Sequence, residues 1–236
     1  MKKTGIRKFS NELDYIIRSH SINPFKTSFL SSILDYLTHY SPGEVELAME
    51  NVKKHFYPEF LQLYNNIKDG YNSVINVVNH FYASIGEGIE INERNSSEVI
   101  KVNKNLFEKF SDENEKQLLN LIVENLLNKS DINKFVESIV VHLEKLDVYA
   151  RFISSTMLLF ITRYSIYKKA ELAEIKYFEY VHSHNCYRSF CKDKNSMHFH
   201  INNILRMNNK EINPVIFFGG GLGCHHIWEP DPFYKG

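Results

Sequence analysis

The sequence predicts a mainly α protein that ends in a small α+β subdomain: a helical body, then short strands and a loop bearing cysteine and histidine. Three observations predict this. Up to about Lys169, apolar residues recur at three- and four-residue spacing while Gly and Pro keep to boundaries. At Ile175 the period changes to short aromatic and β-branched runs. Four glycines, a cysteine, two histidines and the only tryptophan then crowd into FFGGGLGCHHIWEPDP at 217–232.

Each element has a local reason. Asn23-Pro24 offers an N-cap followed by proline at the first helical position, and Phe25, Phe29, Ile33 and Leu37 follow on one stripe. Ser41-Pro42-Gly43-Glu44 has capping-box form ahead of Val45, Ala48 and Val52. Pro58 is expected to start or kink a long helix through Leu61, Tyr64, Ile67, Tyr71, Val74, Val78 and Phe81, closed by Gly86 and Gly88. Residues 86–104 lack a pattern and are expected to be a loop or insertion. Ser111 can cap a helix carrying Leu119, Ile122, Val123 and Leu126, and Ser130 or Asp131 another with Ile132, Phe135, Val136, Ile139, Leu143 and Leu146. The next helix, from Val148 to Leu172, puts Ile153, Met157, Phe160, Ile161 and Tyr164 on one face. These stripes are expected to be core. IKYFEYVHSH, MHFHI and PVIFF are expected to supply the small sheet. The division that follows is a helical body, 1–147, and a long helix with a partly β Cys/His subdomain, 148–236.

Bulk composition narrows the function classes. Lys plus Arg equals Asp plus Glu at 28 each, so no chain-wide nucleic-acid surface is expected. Only Lys2, Lys3, Arg7 and Lys8 form a basic arm that could touch nucleic acid or a partner. The most apolar window, Phe152 to Thr162, ends at Arg151 and Arg163 and is far short of the ~20 residues of a membrane span. The N-terminus has charges but no apolar h-region, so no secretory signal is read. The three cysteines, Cys186, Cys191 and Cys224, are an odd number and lie close to the C-terminus, which points to a local site in a reducing compartment rather than a disulfide framework.

Thiolate and imidazole are the donors that tetrahedral zinc prefers, and two short clusters converge if the chain between them forms a hairpin. Cys191, Cys224 and His226 could supply three ligands, with Cys186, His184 or His182 as the fourth. Two other readings stay open. In one, the cysteines are buried apolar residues packed side by side, with hydrogen-bonded histidines. A Cys–His pair could also act as a nucleophile, making a metal- or thiol-dependent enzyme the alternative, with Glu229 and Asp231 as the nearest carboxylates. The glycines at 219–221 and 223 lack a P-loop form and are expected to give a tight loop that carries Cys224 back beneath the sheet. Trp228 and Pro230 are expected to cover the site or rest on a helix.

The order of parts, KAELAEIKYFEYVHSHNCYRSFC followed by short strands and then GGGLGCHHIWEP, resembles the C-terminal region of tailed-bacteriophage minor head proteins, the Mu F-like head-morphogenesis group. Arg188 and Cys191 match the group's first signature, and Gly221, Cys224, His226, Trp228 and Pro230 its second; His184 stands where the group has Asp. The likeness spans roughly residues 148–232. It implies a non-enzymatic virion or procapsid component, assembled in the host cytoplasm, oligomeric, and associated with portal or other head and neck proteins in head assembly or DNA delivery.

Overall fold

The computed structural model describes residues 12, 15, 44–84, 97–128, 132–181, 188–234 and 236. The fold is mainly α with a small three-stranded antiparallel sheet near the C-terminus. Three long helices come first: α1 (Val45–Ser84), α2 (Ser97–Leu127) and α3 (Ile132–Leu172). The sheet region follows as β1 (Tyr177–Val181), α4 (Ser189–Lys194), β2 (His198–His200), α5 (Ile201–Arg206), α6 (Val215–Phe218) and β3 (Ile227–Pro230). The expected helix at Asn23-Pro24 and the stop at Gly86 and Gly88 lie outside the described residues.

The helices are longer and fewer than their caps suggest. α1 runs through Pro58, which neither starts nor ends it. The lost backbone hydrogen bond and ring clash cost about 3 kcal/mol, and burial of Phe60 and Leu63 just beyond offsets this. α2 starts at Ser97, so residues 97–104 are helix rather than loop, and Ser111 is internal to it. Val99, Asn103 and Phe107 are its buried stripe; Asn103, donating to the carbonyl of Met157 at 3.0 Å, is the polar member that breaks the apolar pattern. The two helices expected on either side of residue 147 are one continuous α3, so the division at 147/148 falls inside a helix.

The chain forms two compact units, and α1, α2 and α3 each contribute to both. One unit holds the described parts of Ile22–Asn66 and Lys104–Arg151. Its core includes Phe60, Leu63, Phe107, Leu118, Ile122 and Ile139, with the Phe60 ring 6.1 and 5.7 Å from those of Phe107 and Phe110. The other holds the described parts of Met1–Ser21, Ile67–Asn103 and Phe152–Gly236. There α1 buries Ile67, Tyr71, Val74, Val78 and Tyr82, and the Tyr82 hydroxyl donates to the carbonyl of Ile166 at 2.7 Å.

The α3 segment from Ile153 to Arg163 is buried on every side. A helix buried all round has no solvent face on which to place polar groups, so each one needs an internal partner. Thr156 and Thr162 use carbonyls of their own helix, at Phe152 and Leu158. Arg163 cannot, and its partners lie in the C-terminal loop. No described helix is long and apolar enough to cross a membrane.

The sheet order is β2-β1-β3, both pairings antiparallel. β1 and β2 come from IKYFEYVHSH and MHFHI as expected. PVIFF does not join them: it forms the single helical turn α6, with Pro214 as its N-cap, and the third strand is IWEP. Phe178↔Pro230, Glu179↔Glu229, Tyr180↔Trp228 and Val181↔Ile227 set the β1–β3 register. Side chains alternate across a strand, so Tyr180 and Trp228 share the inner face and Glu179 and Glu229 the outer one.

Candidate metal centre

The inner face is built around Tyr180. Its ring lies 4.3 Å from its cross-strand neighbour Trp228 and stacks on His226 at 4.7 Å and 17°. Trp228 is buried, and its indole N–H donates to the carbonyl of Val215 in α6 at 3.1 Å, so it both covers the inner face and rests on a helix. Cys191 enters from α4 and Cys224 from the glycine loop.

The loop is shaped for close approach. Gly219 ends α6 with φ +57°, a left-handed conformation that favours glycine. At Gly220 a Cβ would stand 2.2 Å from the Sγ of Cys191, so only a bare backbone fits beside the sulfur. The Gly220 N–H then donates to the Sγ of Cys224 at 3.2 Å. Around the loop, Asn209 donates to the carbonyl of Gly219 at 2.8 Å, and Arg188 donates to that of Leu222 at 2.7 Å while approaching Glu211 at 3.5 Å.

Three sequence-predicted ligands therefore meet. Cys191 Sγ lies 3.6 Å from Cys224 Sγ, a contact rather than a disulfide, and Cys224 Sγ lies 3.8 Å from His226 Nδ1. All three ligand atoms are within 4.8 Å of one another, and their residues are 0%, 3% and 1% exposed. This buried cluster can hold a metal ion. Cys186, His184 and His182 lie outside the described residues.

Arg163 is a residue of this site that periodicity alone does not single out. Its Nε donates to the carbonyl of His226 at 2.9 Å, Nη1 to that of Phe217 at 2.9 Å, and Nη2 to those of His226, at 2.6 Å, and Cys224. One cation thus fixes the main chain of Cys224 and His226, and its charge acts on the Cys224 sulfur. The signal was a lone arginine closing the most apolar window; at 2% exposure it is core rather than boundary.

The electrostatics favour sulfur anion over phenolate. A hydrogen bond from Cys191, then His226, the Arg163 charge and the Tyr180 hydroxyl, hold the Cys224 thiol well below its ordinary range against the opposing effect of burial. Tyr180 moves the other way: burial, and then Cys224 and Cys191, push its hydroxyl far up. It is 3.5 and 3.4 Å from the two sulfurs and keeps its proton, which makes it a donor to the cluster rather than an anionic ligand.

Comparison with protein-family models, curated proteins and solved structures finds no match for the chain.

The carboxylates nearest in sequence do not join the sulfurs. Glu229 follows Trp228 and takes the outer face, opposite Glu179. It is 2% exposed, and neither carboxylate oxygen has a hydrogen-bond partner. Burial first, then the charges of Glu179 and Asp231, push its pKa up to about 8.

Proposed function

We propose that the chain is a structural component of a tailed-phage head or head-to-tail junction, whose C-terminal subdomain is clasped by a zinc ion on Cys191, Cys224 and His226. The observation that carries this reading is the meeting of two motif groups, 33 residues apart in sequence, in one sealed cluster. Those same groups carry the resemblance to minor head proteins.

Zinc suits the geometry. With bonds of about 2.3 Å to sulfur and about 2.0–2.1 Å to nitrogen, a tetrahedral ion sets its sulfurs about 3.8 Å apart and a sulfur about 3.6 Å from a nitrogen. Here the two sulfurs are 3.6 Å apart and the Cys224 sulfur is 3.8 Å from His226 Nδ1, with all three ligand atoms within 4.8 Å of one another. Cys186 is the proposed fourth ligand, with His184 and His182 as the other donors of that segment. A catalytic zinc needs an open position and an acid or base beside it. Burial of all three donors, with Glu229 directed to the other face, favours a clasp.

In an assembled particle the partners would be the portal or other head and neck proteins. Mass spectrometry of purified virions and proheads from the phage or prophage encoding the chain tests the role. Peptides of the chain are expected in the particle, and their absence from both preparations overturns the proposal.

A further inference from the structure

Cys191 and Cys224 are free thiols, both buried, with their sulfurs 3.6 Å apart. A disulfide bond is about 2.05 Å long, so about 1.5 Å of closure joins the pair. Cys191 stands on the six-residue α4 and Cys224 follows Gly223, which places that closure on a short helix and a glycine loop rather than on β1 or α3.

The surroundings suit sulfur that attacks. The Gly220 N–H donates to the Cys224 sulfur at 3.2 Å, and the Tyr180 hydroxyl lies 3.4 Å from that sulfur and 3.5 Å from that of Cys191. Donors of this kind stabilise an anion on sulfur, and the thiolate is the form that reacts with an oxidant. Cys224 has the additional main-chain donor, which makes it the first sulfur to be oxidised and Cys191 the one that resolves it. At 0% and 3% exposure the two residues exclude a bulky disulfide reagent and the thiols of other chains. The fitting oxidant is a small hydroperoxide, and the product is internal to the chain.

We propose that Cys191 and Cys224 are a reversible dithiol–disulfide site, a covalent alternative to the metal clasp on the same two sulfurs. With hydrogen peroxide, the Cys224 thiolate attacks one oxygen: an S–O bond forms, the O–O bond breaks, and the departing hydroxide takes a proton from solvent to leave as water. The Cys191 thiolate then attacks the Cys224 sulfur: the S–S bond forms, the S–O bond breaks, and a second hydroxide leaves as water in the same way. Two electrons pass from the sulfurs to the peroxide, and a thiol reductant restores the pair by exchange.

The bond joins residues 33 apart and encloses β2, α5 and α6 in one covalent loop, which constrains the unfolded chain. It also takes both thiolates out of metal ligation, so the two clasps exclude each other. One consequence rests on the proposed role: a chain assembled in the reducing cytoplasm and released in a particle meets oxidising surroundings, where the covalent clasp replaces the metal.

The full-length chain, purified under reductant and without chelator, is freed of reductant and treated with hydrogen peroxide. The intact mass should fall by two hydrogens, peptide mapping without reduction should join the Cys191 and Cys224 peptides, and dithiothreitol should reverse both. Any zinc the chain carries should be released to a chromogenic chelator in step with the cross-link. In chelator, the oxidised chain should unfold at a higher urea concentration than the reduced chain, as followed by Trp228 fluorescence. An unchanged mass, sulfinic or sulfonic acid in place of the cross-link, a cross-link through Cys186, or an oxidised chain no more resistant than the reduced one overturns the proposal. The zinc reading fails separately: a chain purified without zinc that still forms the Cys191–Cys224 bond sinks the metal clasp and supports the disulfide, and a zinc-bearing chain that forms no bond does the reverse.

Discussion

Arg163, in the interior of a 41-residue helix, grips the main-chain carbonyl of His226 from two of its nitrogens, at 2.9 and 2.6 Å. The bond joins the most buried helical segment to the loop that presents Cys224 and His226. Without Arg163, the carbonyls of Phe217, Cys224 and His226 lose its charged donors inside the protein.

Arg163→Met should therefore destabilise the chain by at least about 3 kcal/mol, since each buried orphaned carbonyl costs about 1–3 kcal/mol. Urea unfolding followed by the fluorescence of Trp228, the single tryptophan, would measure it. Arg163→Lys keeps the charge but cannot reach three carbonyls at once, so it should recover only part of the loss. A change under about 1 kcal/mol in Arg163→Met would contradict the bridging role.

Elemental analysis of protein purified without chelator should find about one zinc per chain, the content of a single structural site. Cys191→Ser or Cys224→Ser should abolish it and unfold the C-terminal subdomain while most helical dichroism persists. Chelation should mimic either change, because ligation contributes directly to folding in small sites. Zinc-free protein that unfolds at the same midpoint with and without chelator would exclude the clasp.

Gly220→Ala tests the close approach. The added methyl would stand 2.2 Å from the Cys191 sulfur, so α4 and the loop must part. The expected loss is about 1–3 kcal/mol, with weaker zinc retention. Wild-type stability and zinc content in this variant would show that the loop can move aside freely.

His142 supplies a pH dependence. Burial first, and then the nearby Lys145 charge, hold its imidazole below the ordinary value of 6.5, against a hydrogen bond with the Asn114 main chain that raises it. As pH falls, the unfolded chain takes up this proton first. The stability contributed by neutral His142 is thus fully present above 6.5 and declines as pH drops below that value. Nuclear magnetic resonance titration should place its midpoint under 6.5, and His142→Phe should flatten the acid side of the stability profile. A midpoint at or above 6.5 would refute the burial argument.

The cluster was legible because its letters are chemically rare: Cys191, Cys224 and His226 carry donor atoms in two short motif groups, and glycines before Cys224 announce a tight return. The helical body was legible for the same reason that it folds, since Ile67, Tyr71, Val74 and Val78 repeat at the period of the helix they bury. Boundaries were harder to read. Asn103 sits on a buried stripe, and its side-chain N–H finds a partner in a carbonyl of α3, 54 residues away, so α2 looks patternless where it begins. PVIFF has the composition of a strand, yet Val215, Ile216 and Phe218 are buried as a helical turn, while IWEP, with a glutamate and a proline, pairs with β1. Local propensity ranks these two segments wrongly because tertiary burial decides between them.

The odd-and-even order of β3 keeps soft donors from hard ones. His226 and Trp228 lie towards sulfur, Glu229 and Asp231 towards oxygen, and a single strand only four residues long separates the two environments. A slip of one residue would carry Glu229 into the thiol chamber and turn Trp228 out among the carboxylates, charging the one face and stripping the other of its aromatic cover in one motion. An insertion or deletion of one residue between Cys224 and Ile227 should thus be far more damaging than any point change there, because it would reverse the facing of every β3 side chain at once.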